Sequence, residues 1–120
     1  MLSADLDLAR KLLEKQALIG QTLTYREFAS ALGITDPPVI NKCTTILEAL
    51  MREDAEQHRP LLSSMVVQQG ALAIPRLGFY QVLDSLKLYQ GEELGAEAKH
   101  WHLTEMRKIK EYYTLRHNEK

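Results

Sequence analysis

With a single cysteine, Cys43, in 120 residues, the chain can form no internal disulfide, and a reducing cytoplasm is the expected compartment. An excess of charge of either sign is lacking too. The 15 basic and 16 acidic residues leave a formal charge of -1, which supplies no general attraction to phosphate or to an anionic membrane. Nucleic-acid binding would therefore need a local basic patch. No apolar run approaches the length of a bilayer span, so no membrane partner is expected. The opening MLSADLDLARKLLEK carries Asp5 and Asp7 and has no continuous apolar stretch, which is not the pattern of a signal peptide. Internal repeats and low-complexity segments are missing as well.

What is there suits one domain, residues 1–120. A hydrophobic fraction of 45% is enough for a core without covalent staples. The periodicity predicts a first helix from about Ala4 to Ile19, capped by Ser3, with Leu6, Ala9, Leu12, Leu13 and Ala17 on one face and Gly20 as the stop. Thr24-x-x-Glu27 has the spacing of a capping box and predicts a short helix with Phe28, Ala29 and Leu32 inward, ended by Gly33. Pro38 suits the first turn of a third helix, which carries the apolar stripe Val39, Ile40, Cys43, Ile46, Leu47 and Leu50 and ends near Ala55. After Pro60 the pattern changes. Leu61 to Gln68 reads as a strand, Gln69-Gly70 as a turn and Ala71 to Ile74 as a return strand. Two helices close the chain, from about Phe79 to Tyr89 and from Glu93 or Ala96 to Leu115. Phe79, Val82, Leu83 and Leu86 face inward from the first, and Trp101, Met106, Ile109 and Tyr113 from the second. The order predicts a mostly α, α+β fold of winged-helix type. Its core would cover 22–78, with one N-terminal helix, two C-terminal helices over 79–115 and a short β-hairpin as the wing.

The stretch Thr24-Tyr25-Arg26-Glu27-Phe28-Ala29, with Leu32-Gly33 after it, resembles the Thr-Tyr-Gly-Glu-hydrophobic-Ala opening of the DNA-binding domain of the alkylguanine-DNA alkyltransferases. In that family a recognition helix and a Pro-Cys-His-Arg-Val-Val strand follow. Here the third helix, Pro60, Met65-Val66-Val67 and Gly70 take those places, so the likeness covers Thr22 to Gly78. The chain is also similar, over most of its length, to a group of small uncharacterised bacterial proteins with a Pro-Leu-Leu-Ser-hydrophobic-Val-Val strand and a Gly-Phe-Phe-like helix start, here Gly78-Phe79-Tyr80. The alkyltransferase likeness implies DNA contact, with Tyr25 at the place of a tyrosine that touches the DNA backbone. It does not carry the alkyl-transfer chemistry. Aligned on Val66-Val67, Ser63 stands where the family has its nucleophilic cysteine and Ser64 where it has histidine; aligned on Pro60, Leu61 stands at the cysteine. Val39 or Ile40 lies near the place of the family's DNA-inserting arginine.

Other chemistry is thinly represented. Ser63 or Ser64 as a nucleophile would need a base and an oxyanion site, and no nucleophile elbow or glycine-rich loop surrounds them. Strand alternation would bury one serine and expose the other. His100 and His102, two apart on a helix, do not share a face and make a poor metal pair, so they are expected to be solvated or capping. No cofactor, metal or catalytic residue is expected. The residues with binding chemistry are Asn41, Lys42, Thr44, Thr45 and Arg52 on the polar side of the third helix, joined by Tyr25, Arg26, Arg59 and Arg76. They predict a non-catalytic, cytoplasmic DNA-binding protein using the third helix and wing on duplex DNA. The alternative on the same scaffold is a protein-interaction module without DNA binding, pairing with a partner protein or with a second copy through the C-terminal helices.

Overall fold

The computed structural model describes residues 2–70, 72–93 and 95–119, with the side chains of 2–4 left aside. Helix α1 (Leu2–Ile19) buries Ala9, Leu13 and Ala17, one residue per turn on a single stripe. It begins ahead of Ser3, so Ser3 lies inside the first turn rather than before it. Its end is set by Gly20, at φ 81, whose N–H returns to the Gln16 carbonyl at 2.8 Å. Strand β1 (Leu23–Thr24) leads directly into α2 (Tyr25–Leu32). The capping box is formed: the Glu27 N–H donates to Thr24 Oγ1 at 3.1 Å, and the Thr24 N–H donates to Glu27 Oε1 at 2.8 Å. Gly33, at φ 73, closes the helix in the left-handed conformation. Helix α3 (Val39–Glu56) follows with Pro38 at its cap position and buries Cys43, Ile46, Leu47, Leu50, Met51 and Asp54.

The next segment overturns the winged-helix expectation. Leu62–Met65 is a turn of 3-10 helix, closed by the Ser64 N–H on the Leu61 carbonyl at 3.0 Å. Only Val66–Val67 then forms a strand, β2. This strand pairs in parallel with β1, Leu23 against Val66 and Thr24 against Val67. Leu72 to Ile74 carry no strand, and Ala71 lies outside the described residues. One bond, from the Gln68 N–H to the Ile74 carbonyl at 2.9 Å, closes the loop between them, and Ala73 there stands at φ 49. The physical reason is burial. Every residue from Leu61 to Val67 is buried, whereas a wing would leave one face in water. Strands covered on both faces suit a parallel pairing. The two serines turn the chain because Ser63 makes its side-chain bond to a helix carbonyl instead of a strand partner.

Helix α4 (Leu77–Ser85) starts earlier and stops sooner than the periodicity predicts. Lys87, at φ 59, and the Leu88 N–H on the Leu83 carbonyl at 2.9 Å end it well before Gly91. Helix α5 (Ala96–Asn118) buries Ala98, His102, Glu105, Ile109 and Tyr113. Trp101 and Met106, expected inward, are half-buried beside that stripe. The core forms in two parts. The larger joins α1, α2 and α3 around Leu62, Met65 and Val66, with Ile109 and Tyr113 of α5. The smaller gathers Met51, Leu61, Ile74, Phe79, Tyr80 and Leu83, and Tyr80, Tyr89 and Trp101 add tilted and edge-on ring contacts there. No helix among the described residues is long and apolar enough to cross a membrane.

Candidate functional site

Residues 61–65 run between α1, α3 and α5, and side chains from two of those helices hold their polar groups. Asp54, fully buried on α3, accepts the Leu62 N–H at 3.1 Å, Arg10 Nη1 at 2.8 Å and Arg59 Nε at 3.1 Å. Burial pushes its carboxyl above the usual range, and the two guanidinium groups and the amide pull it back. Glu105 on α5 accepts the Leu61 N–H at 2.7 Å, and its carboxyl is likewise raised by burial. His102 donates from Nε2 to the Ser64 carbonyl at 2.8 Å, and burial lowers its pKa, which keeps the ring neutral. His102 is thus a core residue and not the solvated or capping histidine its spacing suggests. Both serines are buried, against the expected alternation. The Ser63 hydroxyl donates to the Leu47 carbonyl at 2.7 Å, and His102 meets the carbonyl of Ser64, not its hydroxyl.

Several residues with expected DNA chemistry are engaged within the protein. Tyr25 is buried, and its hydroxyl accepts the Arg76 N–H at 3.0 Å while the Arg76 guanidinium lies 5.8 Å from its ring centre. Arg59 turns to Asp54, beside Arg10. Lys42 Nζ donates to the Asp36 carbonyl at 2.9 Å, and the Thr44 and Thr45 hydroxyls both donate to the Asn41 carbonyl. Arg52 is exposed, next to exposed Glu53, which pairs with Arg10. The structure brings Tyr25, Arg26 and Arg76 together at a hollow of about 230 Å³ that Thr24, Gln68 and Gln69 also line, and Tyr25, Thr44 and Arg76 at a smaller one.

A larger concavity lies elsewhere, among α1, the end of α2 and the end of α5. It is a trough of about 570 Å³. Leu8, Leu12 and Leu18 of α1 and Leu32 of α2 form its apolar surface, with Leu8 51% exposed. Lys11, Lys15, Arg116 and His117 bring the positively charged and titratable groups, and Glu14 is the one lining carboxylate. These leucines arise from the helical repeat. Leu8 and Leu12 each precede a core residue, Ala9 and Leu13, by one position, so they stand about 100° around the helix from the buried stripe. Leu8, Lys11, Lys15 and Leu18 escaped the sequence reading because it followed a single stripe; the signal was Leu8, one turn before Leu12 on one flank of that stripe, with Leu18 on the other. Among the described residues no group of three or more His, Cys, Asp or Glu is placed to hold a metal ion. Comparison with protein-family models, curated proteins and solved structures finds no match to this chain.

Proposed function

We propose that the chain is a non-catalytic protein-interaction module that takes a segment of a partner into the trough between α1, α2 and α5. The observation that carries this reading is Leu8 of α1, half exposed beside half-buried Leu12, Leu18 and Leu32 in a concavity of about 570 Å³. Apolar concavities ringed by polar groups suit a protein partner better than a phosphate backbone. The DNA-binding reading keeps Tyr25, Arg26 and Arg76 at their shared hollow, but it has no wing to work with, and Arg59 is paired with Asp54.

Backbone amide shifts separate the two readings. The labelled protein is titrated with a panel of amphipathic helical peptides and, in parallel, with duplex DNA at low salt. The expected result is movement of amides in 8–18 and 113–117 by at least one peptide. Movement of Asn41, Thr45 and Arg52 by DNA, with no response to any peptide, would overturn the proposal and restore DNA as the partner. Movement confined to α5 on raising the protein concentration alone would instead make a second copy the partner.

A further inference from the structure

We infer that the segment taken by this trough is an acidic amphipathic helix, an inference that rests on the interaction reading above and names its partner. Charge complementarity carries it. The protein as a whole is slightly acidic, yet among the described residues Lys11, Lys15 and Arg116 stand at the trough with a single carboxylate, Glu14. The Arg116 guanidinium stacks 5.4 Å from the Tyr112 ring centre, which holds its charge near the α5 side. Lys11 and Lys15 are one turn apart on α1 and Arg116 stands on α5, so cations line the trough from both helices.

Shape argues for a helix. From Leu8 to Leu18 the trough follows α1 for about 15 Å at the helical rise, close to three turns of a docked helix. Such a helix presents apolar residues at i, i+3 or i+4, and i+7, which face Leu8 and Leu12 of α1 and Leu32 of α2, while Lys11 and Lys15 stand beside Leu8 on α1. Carboxylates on its flanks then reach the lysines and Arg116. A flat anionic bilayer meets the cations but not the recessed apolar floor, and a nucleic acid leaves that floor unpaired.

The test uses the full chain and three helical peptides with one apolar face and acidic, neutral or basic flanks, with anisotropy as the readout. The acidic peptide should bind about tenfold more tightly than the basic one, from a few exposed ion pairs of modest strength each, and raising the salt should narrow that gap. Lys11→Glu combined with Lys15→Glu should reverse the order, and both lysines are exposed, so folding is not at stake. Leu8→Glu should weaken all three peptides. Equal binding of the three peptides at the trough leaves the interaction reading standing and overturns the acidic partner. Binding of none overturns both. Vesicles of anionic phospholipid that displace the acidic peptide from the trough would overturn the helix as its occupant.

Discussion

Glu105 and His102 lie one turn apart on the buried stripe of α5 and answer acid in opposite senses. Burial raises the Glu105 carboxyl, so the folded chain holds a proton that the unfolded chain, near the ordinary 4.5, has already released. The stability linked to that proton is complete at low pH and is lost as pH rises through the folded value. His102 is lowered by burial, so the unfolded chain takes a proton near 6.5 that the folded chain refuses, and stability falls as pH drops below that value. Glu105→Gln keeps an oxygen for the Leu61 amide and removes the buried charge. The variant should be as stable as the parent or more so at neutral pH, and it should lose stability faster on acidification because the Glu105 response no longer offsets that of His102. Urea unfolding at a series of pH values from neutral to mildly acidic measures both. A pH slope identical to the parent's would mean that Glu105 ionises in the fold without cost. None of this is visible in the sequence, where an acidic and an imidazole side chain among the Lys and Glu of a long helix read as solvated.

At the scale of elements, the helices were legible because their signals are local. Thr24 and Glu27 make the capping box their spacing announces, and the apolar stripe of α3 lies where its repeat puts it. The segment after Pro60 was not legible, because its fate depends on distant helices. Ser63 and Ser64 look like the polar face of a strand, yet the carbonyl that takes the Ser63 hydroxyl belongs to Leu47, a turn of α3 that no local pattern ties to it. The trough escaped for a related reason: how far Leu8, Leu12 and Leu18 at the edges of the α1 stripe are covered is decided by where α2 and α5 pack. A pair of truncations distinguishes the buried segment from a wing. Leu62→Ala should cost about 2–5 kcal/mol, since Leu62 is fully buried in the larger cluster. Leu72→Ala, at a position 40% exposed, should change stability by about 0.5 kcal/mol or less. Chemical denaturation midpoints give both, and equal small losses would place 61–67 at the surface.

In the molecule as a whole, Asp54 ties together parts of the chain that have no local reason to meet: Arg10 of α1, its own helix, Arg59 and the amide of Leu62. Asp54→Ala should therefore cost about 1–3 kcal/mol, because it leaves the Leu62 N–H without an acceptor and the partly buried Arg10 with Glu53 alone as its carboxylate partner. Arg59→Ala, which removes a partner that is 30% exposed, should cost much less. Thermal unfolding of the two variants compares them directly, and equal losses would show that the Arg10 pair carries no special weight. The parallel pairing of β1 with β2 has a kinetic consequence. A wing hairpin closes on itself within microseconds, with a turn of a few residues. Leu23 and Val66 instead meet across about 40 residues, which include all of α2 and α3, and the contact waits on closure of that loop. The helices of this chain can form early from their own sequence. The two-residue pair, and the 3-10 turn threaded beside it, belong to the late, topology-limited stage of folding, slower than a bundle joined only by neighbouring helices.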